Sequence, residues 1–443
     1  MGSVTASGLP PPMAATAGSC TRLPPKWTSP AGRVMAMSSL WRGTGRPGSS
    51  ASSASTPRRR RSRHCFTARS GGRCACRQRS TEDSSPTAWK SVRIPSARAV
   101  TTRAATPSPR GEPSMSEKIR AGMLGTVHAH AGGKYLAFRD GPDYDFIGVA
   151  EPNPEYLEYS RQLPYYQDVN WADKSALLDD DSVQVIAIEG HVRDLMALGM
   201  EALHAGKHIH LDKPAGTDIK QFEALLRLAI EKGLQVQMGY MFRYNPGFAL
   251  AMRAVTEGWL GEVFYVHGEI NSALKPEMRA RLDWHPGGMM FELACHLIDQ
   301  LVATLGLPRN VMPSLKHDGP VDDKLADNCT AVFEYDGAVG IIHTSAMEQG
   351  APQRRIWEVC GTKGTVIVQP LEPPSVRLYL DEPQGGYQAG WQGIEVPNTP
   401  RYVADVAHLA AVVRGQAEPL QMYEHDLITQ QVVLWASGDR QEL

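Results

Sequence analysis

The sequence predicts an α/β chain: a doubly wound parallel sheet over residues 115–240, then an α+β domain with an open, mainly antiparallel sheet over residues 241–443. Three observations predict it. From Met115 short apolar runs alternate with helical patterns, as βαβ units require. After Pro246 strand-like runs follow one another through Gly-containing turns, which implies antiparallel neighbours. Composition breaks near residue 115: residues 1–114 carry 19 Lys and Arg against 3 Asp and Glu, leaving 27 of the 46 basic and 44 of the 47 acidic side chains to the rest.

The first segment is rich in Ser, Arg, Ala, Pro and Gly, contains "PRRRRSR" (Pro57–Arg63) and has no periodicity. It is expected to be a disordered, basic, low-complexity extension. A basic patch alone is weak support for nucleic-acid binding, and the segment is long for a transit peptide and lacks a clear amphipathic helix. Translated upstream sequence is the preferred account, because "MSEKIRAGMLG" begins at Met115 as a domain opening on its first strand would. No run of 18 apolar residues is present, so no membrane span is expected. Cys295, Cys329 and Cys360 lack paired spacing, which suits a reducing cytoplasm.

Within the first domain, "KIRAGMLG" and "YDFIGVAE" read as the first two strands and "VQVIAIEG" as a third, buried one. A helix through Leu195, Met196, Met200 and Leu203 stops near Gly206, and "KHIHL" is the next strand. Thr217 or Asp218 can cap a helix with apolar residues at Ile219, Phe222, Leu225, Leu226, Ala229 and Ile230, ending at Gly233. "LQVQMGYM" completes the set. The second domain offers "VFYVHGEI", "CTAVFEY", "AVGIIHTS", "RRIWEVCG", "TVIVQP" and "SVRLYL" as strands, and helices over Tyr402–Val413 and Tyr423–Ala436.

The turn after the first strand, "GTVHAH", has the outline of a dinucleotide-binding Rossmann fingerprint. Gly125 fills the place of the tight-turn glycine, but Val127 and His130 stand where the second and third are expected. Thr126, Val127 and His128 would then face the pyrophosphate, helped by N–H groups at the helix start. Glu151, ending the second strand, can accept hydrogen bonds from an adenosine ribose and would repel a 2′-phosphate, favouring NAD over NADP. Glu189, Gly190 and Asp212 end the third and fourth strands and belong to the same crevice. Lys213 in "LDKPAG" stands beside it, next to Pro214.

The sharpest feature is "WHPGGMMFELACHLIDQL", Trp284–Leu301. On one helix starting near Gly288, Glu292 and His296 would share a face, with Asp299 continuing the stripe and Met290, Leu293, Leu297, Ile298 and Leu301 around it. A histidine there can exchange a proton near neutral pH, and a carboxylate can orient it. The same residues can be a solvated helix face. A metal is not expected: Glu-x-x-x-His supplies two ligands, and His208 and His210, or His128 and His130, join only if the fold recruits them.

Together these segments resemble the glucose-fructose oxidoreductase, inositol dehydrogenase and MocA (Gfo/Idh/MocA) family across about residues 117–438. "AGKHIHLDKPAG" is similar to its "AGKH…EKP" motif, "MFRYNP" to its "RFNP" segment, and "GGMMFELACHLID" to its "GG…D…H…D" helix; "VCGTKGTV" resembles a strand of its second domain. The resemblance implies a Rossmann domain and a second domain whose open sheet lines the substrate site and forms a dimer or tetramer. It implies hydride transfer between nicotinamide and a hydroxyl-bearing carbon of a sugar, polyol or related small molecule. Lys213 matches the lysine that hydrogen-bonds the reacting hydroxyl and His296 the proton-accepting histidine. Glu292 replaces the usual Asp. The family's "TP…H" loop reads here "EGHVRD", so Arg193 is a candidate phosphate partner. Tyr240, Arg243, Asn245, Trp284 and His296 are candidates for the substrate pocket. Two rivals stay open: an NAD-dependent glycosidase of the same fold, and a non-catalytic nucleotide- or sugar-binding protein.

Overall fold

Alternating apolar runs become two sheets in a computed structural model that describes residues 117–443. The expected extension, 1–114, lies outside the described residues. The first lobe comprises β1 (Ile119–Leu124), α1 (Ala131–Asp140), β2 (Tyr144–Ala150), α2 (Pro154–Arg161), α3 (Lys174–Leu178), β3 (Val185–Ile188), α4 (Leu195–His204), β4 (His208–Leu211), α5 (Ile219–Lys232) and β5 (Val236–Met238). Its strands are parallel in the order β2-β1-β3-β4-β5. Every residue of β3 is buried, as a strand covered by helices on both faces must be. Strand order reverses between β1 and β3, and the crevice beyond their carboxyl ends is where open α/β sheets bind ligands.

Local signals set the helix ends as expected. Asp218 caps α5, accepting from Lys220 N and Gln221 N, and Gly233 ends it in the left-handed region (φ 67°). Gly206 does the same just past α4 (φ 77°).

The second lobe comprises α6 (Pro246–Thr256), β6 (Val263–Glu269), α7 (Pro276–Leu282), α8 (Gly288–Glu292), α9 (Cys295–Leu305), β7 (Asn310–Lys316), β8 (Asn328–Glu334), β9 (Val339–Ser345), α10 (Ala351–Arg354), β10 (Ile356–Gly361), β11 (Gly364–Val368), β12 (Val376–Leu380) and β13 (Gly390–Ile394). The sheet order is β13-β12-β11-β10-β6-β9-β8-β7, antiparallel throughout except for the parallel pair β6–β9. One face is covered by α6, α8 and α9. On the other, Tyr265, Cys360, Thr365, Tyr379 and Trp391 stand in one cross-strand row, and Trp391 is 57% exposed. The sequence pattern does not mark strands β7 and β13: "NVMPSLK" carries a proline and "GWQGI" two glycines, which blur a strand signal.

The chain then returns to the first lobe. Helix α11 (Val403–Val413) buries Val406, Leu409 and Ala410 among Tyr135, Phe138 and Tyr144 of α1 and β2. Tyr144 Oη donates to Val406 O at 2.7 Å, and Arg414 pairs with Asp143 at 2.6 Å. Helix α12 (Tyr423–Ala436) packs against both α5 and α9.

One expectation fails here. The stretch from Gly288 is two helices, not one, broken at Leu293–Ala294. Lys213 Nζ donates to Glu292 O at 2.7 Å, taking the carbonyl that a continuous helix would offer to His296 N. His296 N reaches Leu293 O at 3.4 Å instead, and Ala294 N reaches Met289 O, five residues back. A side chain inserted into the i→i−4 ladder is a known cause of such a break. Glu292 and His296 therefore do not form one stripe.

Candidate active site

Chain direction at the cleft is set by Gly125. Its φ is 86°, and a Cβ there would lie 2.3 Å from Gly190 N, a backbone atom that cannot move aside. Only glycine fits this close crossing of the β1 and β3 ends. Gly125→Ala is expected to cost at least about 2 kcal/mol and to abolish nucleotide binding; urea unfolding and a nucleotide titration check both.

Past Gly125 the loop is tied to the next strand by His128 N, which donates to Glu189 O at 3.1 Å. Thr126 Oγ1 donates to Glu151 Oε2 at 2.8 Å, and Asn153 N to Oε1 at 3.0 Å, fixing the carboxylate at the end of β2. At the start of α1, His130 N donates to His128 Nδ1 at 3.3 Å and Ala131 N to His128 O at 3.0 Å. The close glycine crossing and the carboxylate beyond it fit a dinucleotide.

The cleft, of about 180 Å³, is lined by Val127, His128, His130, His191, Lys213 and Glu292, with apolar residues of α7 and α8 opposite. It is smaller than the roughly 300–1,000 Å³ of most small-molecule sites, and so admits one ring. Trp284 Nε1 donates to Glu292 Oε1 at 3.3 Å. Burial pushes the Glu292 carboxyl above its ordinary value, with the Lys213 ammonium opposing.

Two buried layers lie behind. In the first, Asp212 faces His128 Nδ1 at 2.6 Å and His130 Nδ1 at 3.1 Å, and its Oδ1 accepts from Lys213 N at 2.7 Å. Burial lowers the His130 imidazole to about 3, overriding the pull of Asp212. In the second, Lys134 Nζ stands 3.5 Å from Glu189 and 3.8 Å from Asp405. Burial and the Asp212 charge raise Glu189 well above the carboxylate range despite Lys134.

His296 is 1% exposed. Its ring lies 5.3 Å from that of His130, 5.5 Å from Phe242 and 6.1 Å from Tyr240, and neither ring nitrogen has a hydrogen-bond partner. Burial, with Lys213 and His130 adding, holds the imidazole well below its ordinary value.

The structure thus brings Val127, His128, Lys213 and Glu292 to the cleft, sets Trp284 behind Glu292 as its hydrogen-bond partner, leaves Gly125, Thr126, Glu151 and Gly190 at the neighbouring strand ends, and buries Asp212 and His296. Six expectations are corrected. Glu292 does not orient His296; its partner is Trp284. The Glu189 carboxylate turns inward to Lys134, leaving only its backbone at the crevice. The exposed Arg193 side chain donates to His191 Nδ1 at 3.3 Å and lies 5.7 Å from the Trp284 ring, which draws it away from a phosphate. Asn245 caps α6 through Gly247 N and gives its Nδ2 to Leu371 O. Arg243 is buried between Asp299 and Asp426, 2.6 Å from each, and Tyr240 lies under its guanidinium at 4.9 Å. Asn245, Arg243 and Tyr240 do not line the cleft.

Asp299 supplies a measurable consequence. Burial alone would raise its carboxyl, but Arg243 and His425 bring it down to about 2 from the ordinary 3.8. A depressed acid stabilises the fold above its unfolded value and loses that contribution as pH falls through the folded one. About 2 kcal/mol is therefore expected to vanish between about pH 4 and pH 2. Unfolding titrations of wild type and Asp299→Asn across that window should converge at the acid end.

Sequence reasoning misses His130, His191 and Lys134 as site residues. His130 reads there as a lost glycine and, paired with His128, as a metal ligand only if the fold recruits it. Lys134 sits on a helix face that the pattern does not mark as buried.

A parallel nucleotide-type lobe joined to an open-sheet lobe, with an acid–base cleft at the strand-order reversal, defines a two-domain dehydrogenase-type architecture. Family comparison agrees: residues 119–240 match the oxidoreductase family, NAD-binding Rossmann fold, and residues 248–367 match the GFO/IDH/MocA C-terminal domain. The chain belongs to the Gfo/Idh/MocA oxidoreductase family. Among its relatives, the uncharacterized oxidoreductase YdgJ of Escherichia coli is 27% identical over 60% of this chain and 75% of its own length. Levoglucosan dehydrogenase of Pseudarthrobacter phenanthrenivorans is 23% identical over 49% of this chain and 63% of its own. The NAD⁺-dependent scyllo-inositol 2-dehydrogenase of Bacillus subtilis is 24% identical over 46% and 61%. The fold is shared with an Agrobacterium radiobacter oxidoreductase solved with NAD⁺, L-tartaric acid and magnesium, at TM-score 0.61 and 16% identity over 72% of this chain and 96% of that one. Among the described residues no helix is long and apolar enough to cross a membrane.

Proposed function

We propose that the protein is an NAD-dependent oxidoreductase that moves a hydride between nicotinamide and a hydroxyl-bearing carbon of a sugar, polyol or related small molecule. The observation that carries this is the placement of Lys213. Its ammonium is anchored on the Glu292 carbonyl at the wall of a ring-sized cleft, just past the turn built around Gly125. The sugar-like class is supported by the levoglucosan and scyllo-inositol dehydrogenases among the relatives.

Gly125, Thr126, Val127, His128 and Gly190 would hold the pyrophosphate side of the cofactor, and Glu151 its adenosine ribose. NAD, when bound, supplies a carbon that accepts hydride. Lys213 donates a hydrogen bond to the reacting oxygen and His296 takes its proton. Glu292, held by Trp284, walls the substrate. Glu151 favours NAD, because a carboxylate already accepting two hydrogen bonds would face a 2′-phosphate with like charge. We further propose a cytoplasmic protein that forms a dimer or tetramer through the row of Tyr265, Tyr379 and Trp391 on the outer sheet face.

The test is a titration with NADH and NADPH followed by tryptophan quenching, then a screen of polyols. Tight NADH binding with weaker NADPH, and polyol-dependent reduction of NAD⁺, are expected. Release of a phenol from aryl glycosides without net NADH would replace dehydrogenation with glycoside cleavage, and no binding of either nucleotide would leave a binding role.

A further inference from the structure

Three ligand-type side chains meet at the wall of the cleft. The ligand atoms of His128, His130 and Asp212 all lie within 4.8 Å of one another, and all three residues are buried. We infer that His128, His130 and Asp212 bind a divalent transition-metal ion of the zinc class, on a site open to the cleft.

The three side chains face one another through the atoms that would ligate. Ligands of one tetrahedral ion, each about 2.1 Å from it, stand roughly 3–3.5 Å apart. Asp212 Oδ1 is 3.1 Å from His130 Nδ1, and Oδ2 is 2.6 Å from His128 Nδ1. The 2.6 Å contact with His128 and the hydrogen bond with His130 place imidazole nitrogens on both oxygens of a fully buried carboxylate. Metal ligation would displace the imidazole protons from those same atoms.

Asp212 is also oriented from outside the set, since Oδ1 accepts from Lys213 N, as metal-bound carboxylates commonly are. His128 and His130 line the cleft while Asp212 does not, so the remaining coordination position faces the space a ligand would enter. Two imidazoles and one carboxylate suit zinc, cobalt, iron or manganese better than calcium or magnesium, which prefer all-oxygen shells. The site shares His128 with the proposed cofactor contact, and metal binding is read without the nucleotide.

The experiment uses the full-length protein stripped with chelator and titrated with Zn²⁺ and Co²⁺. One equivalent of each is expected to bind, with cobalt developing visible d–d absorption. Asp212→Asn and His130→Ala are each expected to weaken binding by roughly a hundredfold or more, since loss of an outer-shell partner alone costs about 10–100-fold. His204→Ala, an exposed histidine, should not change it. Pulsed EPR of wild type loaded with Cu²⁺ needs no variant to fold and should show two coordinated imidazoles. Absence of stoichiometric binding by wild type, undiminished binding in both variants, or a copper spectrum without imidazole would each overturn the site. A parallel NADH titration reports separately on the nicotinamide proposal.

Discussion

His296→Ala is expected to lower kcat by about two to four orders of magnitude, the usual contribution of a positioned proton-transfer group, while NADH affinity stays within error of wild type. His296 has no hydrogen-bond partner to lose and does not line the cleft. Its removal leaves a small cavity among His130, Phe242 and Tyr240 rather than an orphaned charge. Steady-state kinetics with the best polyol from the screen, alongside nucleotide titration, separate the two quantities. Equal loss of turnover and cofactor affinity would make His296 a packing residue and shift the proton acceptor towards His130.

Arg243→Leu should cost about 3–5 kcal/mol of folding stability, the range for breaking a buried ion pair from one side. The guanidinium is shared between Asp299 and Asp426, each at 2.6 Å, and only 5% of its side chain is exposed. Leucine would leave two buried carboxylates facing one another, with His425 Nε2 and Gln300 Nε2, each 2.9 Å from Asp299, to relieve them. Chemical denaturation measures the loss. Surviving folded enzyme should keep wild-type KM, because Arg243 does not touch the cleft; a raised KM with unchanged stability would restore it to the substrate pocket.

Residues whose role depends on the local chain are legible in the sequence. Asp218 and Gly233 end α5 because capping and left-handed glycine are local physics. Gly125 can be recognised as a turn glycine without sight of Gly190. Lys213 can be placed at a strand end, where the Rossmann crevice lies. Residues whose role depends on a distant partner are not legible. Nothing in "GGMMFELACHLID" reveals that a lysine 79 residues earlier takes the Glu292 carbonyl and breaks the helix. Arg243 and Asn245 look like binding residues until Asp426 and Leu371 arrive from later in the chain. His130 illustrates a third case, in which a departure from a motif reads as a loss when it places an imidazole against Asp212.

The return of α11 to the first lobe has a consequence for biosynthesis. Tyr135, Phe138 and Tyr144 pack against Val406, Leu409 and Ala410, so the lobe made first lacks part of its apolar cover until nearly the whole chain has been made. At about 5–20 residues per second, the 162 residues from Tyr240 to Tyr402 take on the order of ten to thirty seconds to emerge. Through that interval an aromatic groove on α1 and β2 stays uncovered while the second lobe is still being synthesised. The lobe that would grip the cofactor is therefore among the last parts of the protein to be completed, and a chain truncated before Val403 should be met by chaperones and proteases rather than persist as a free nucleotide-binding domain.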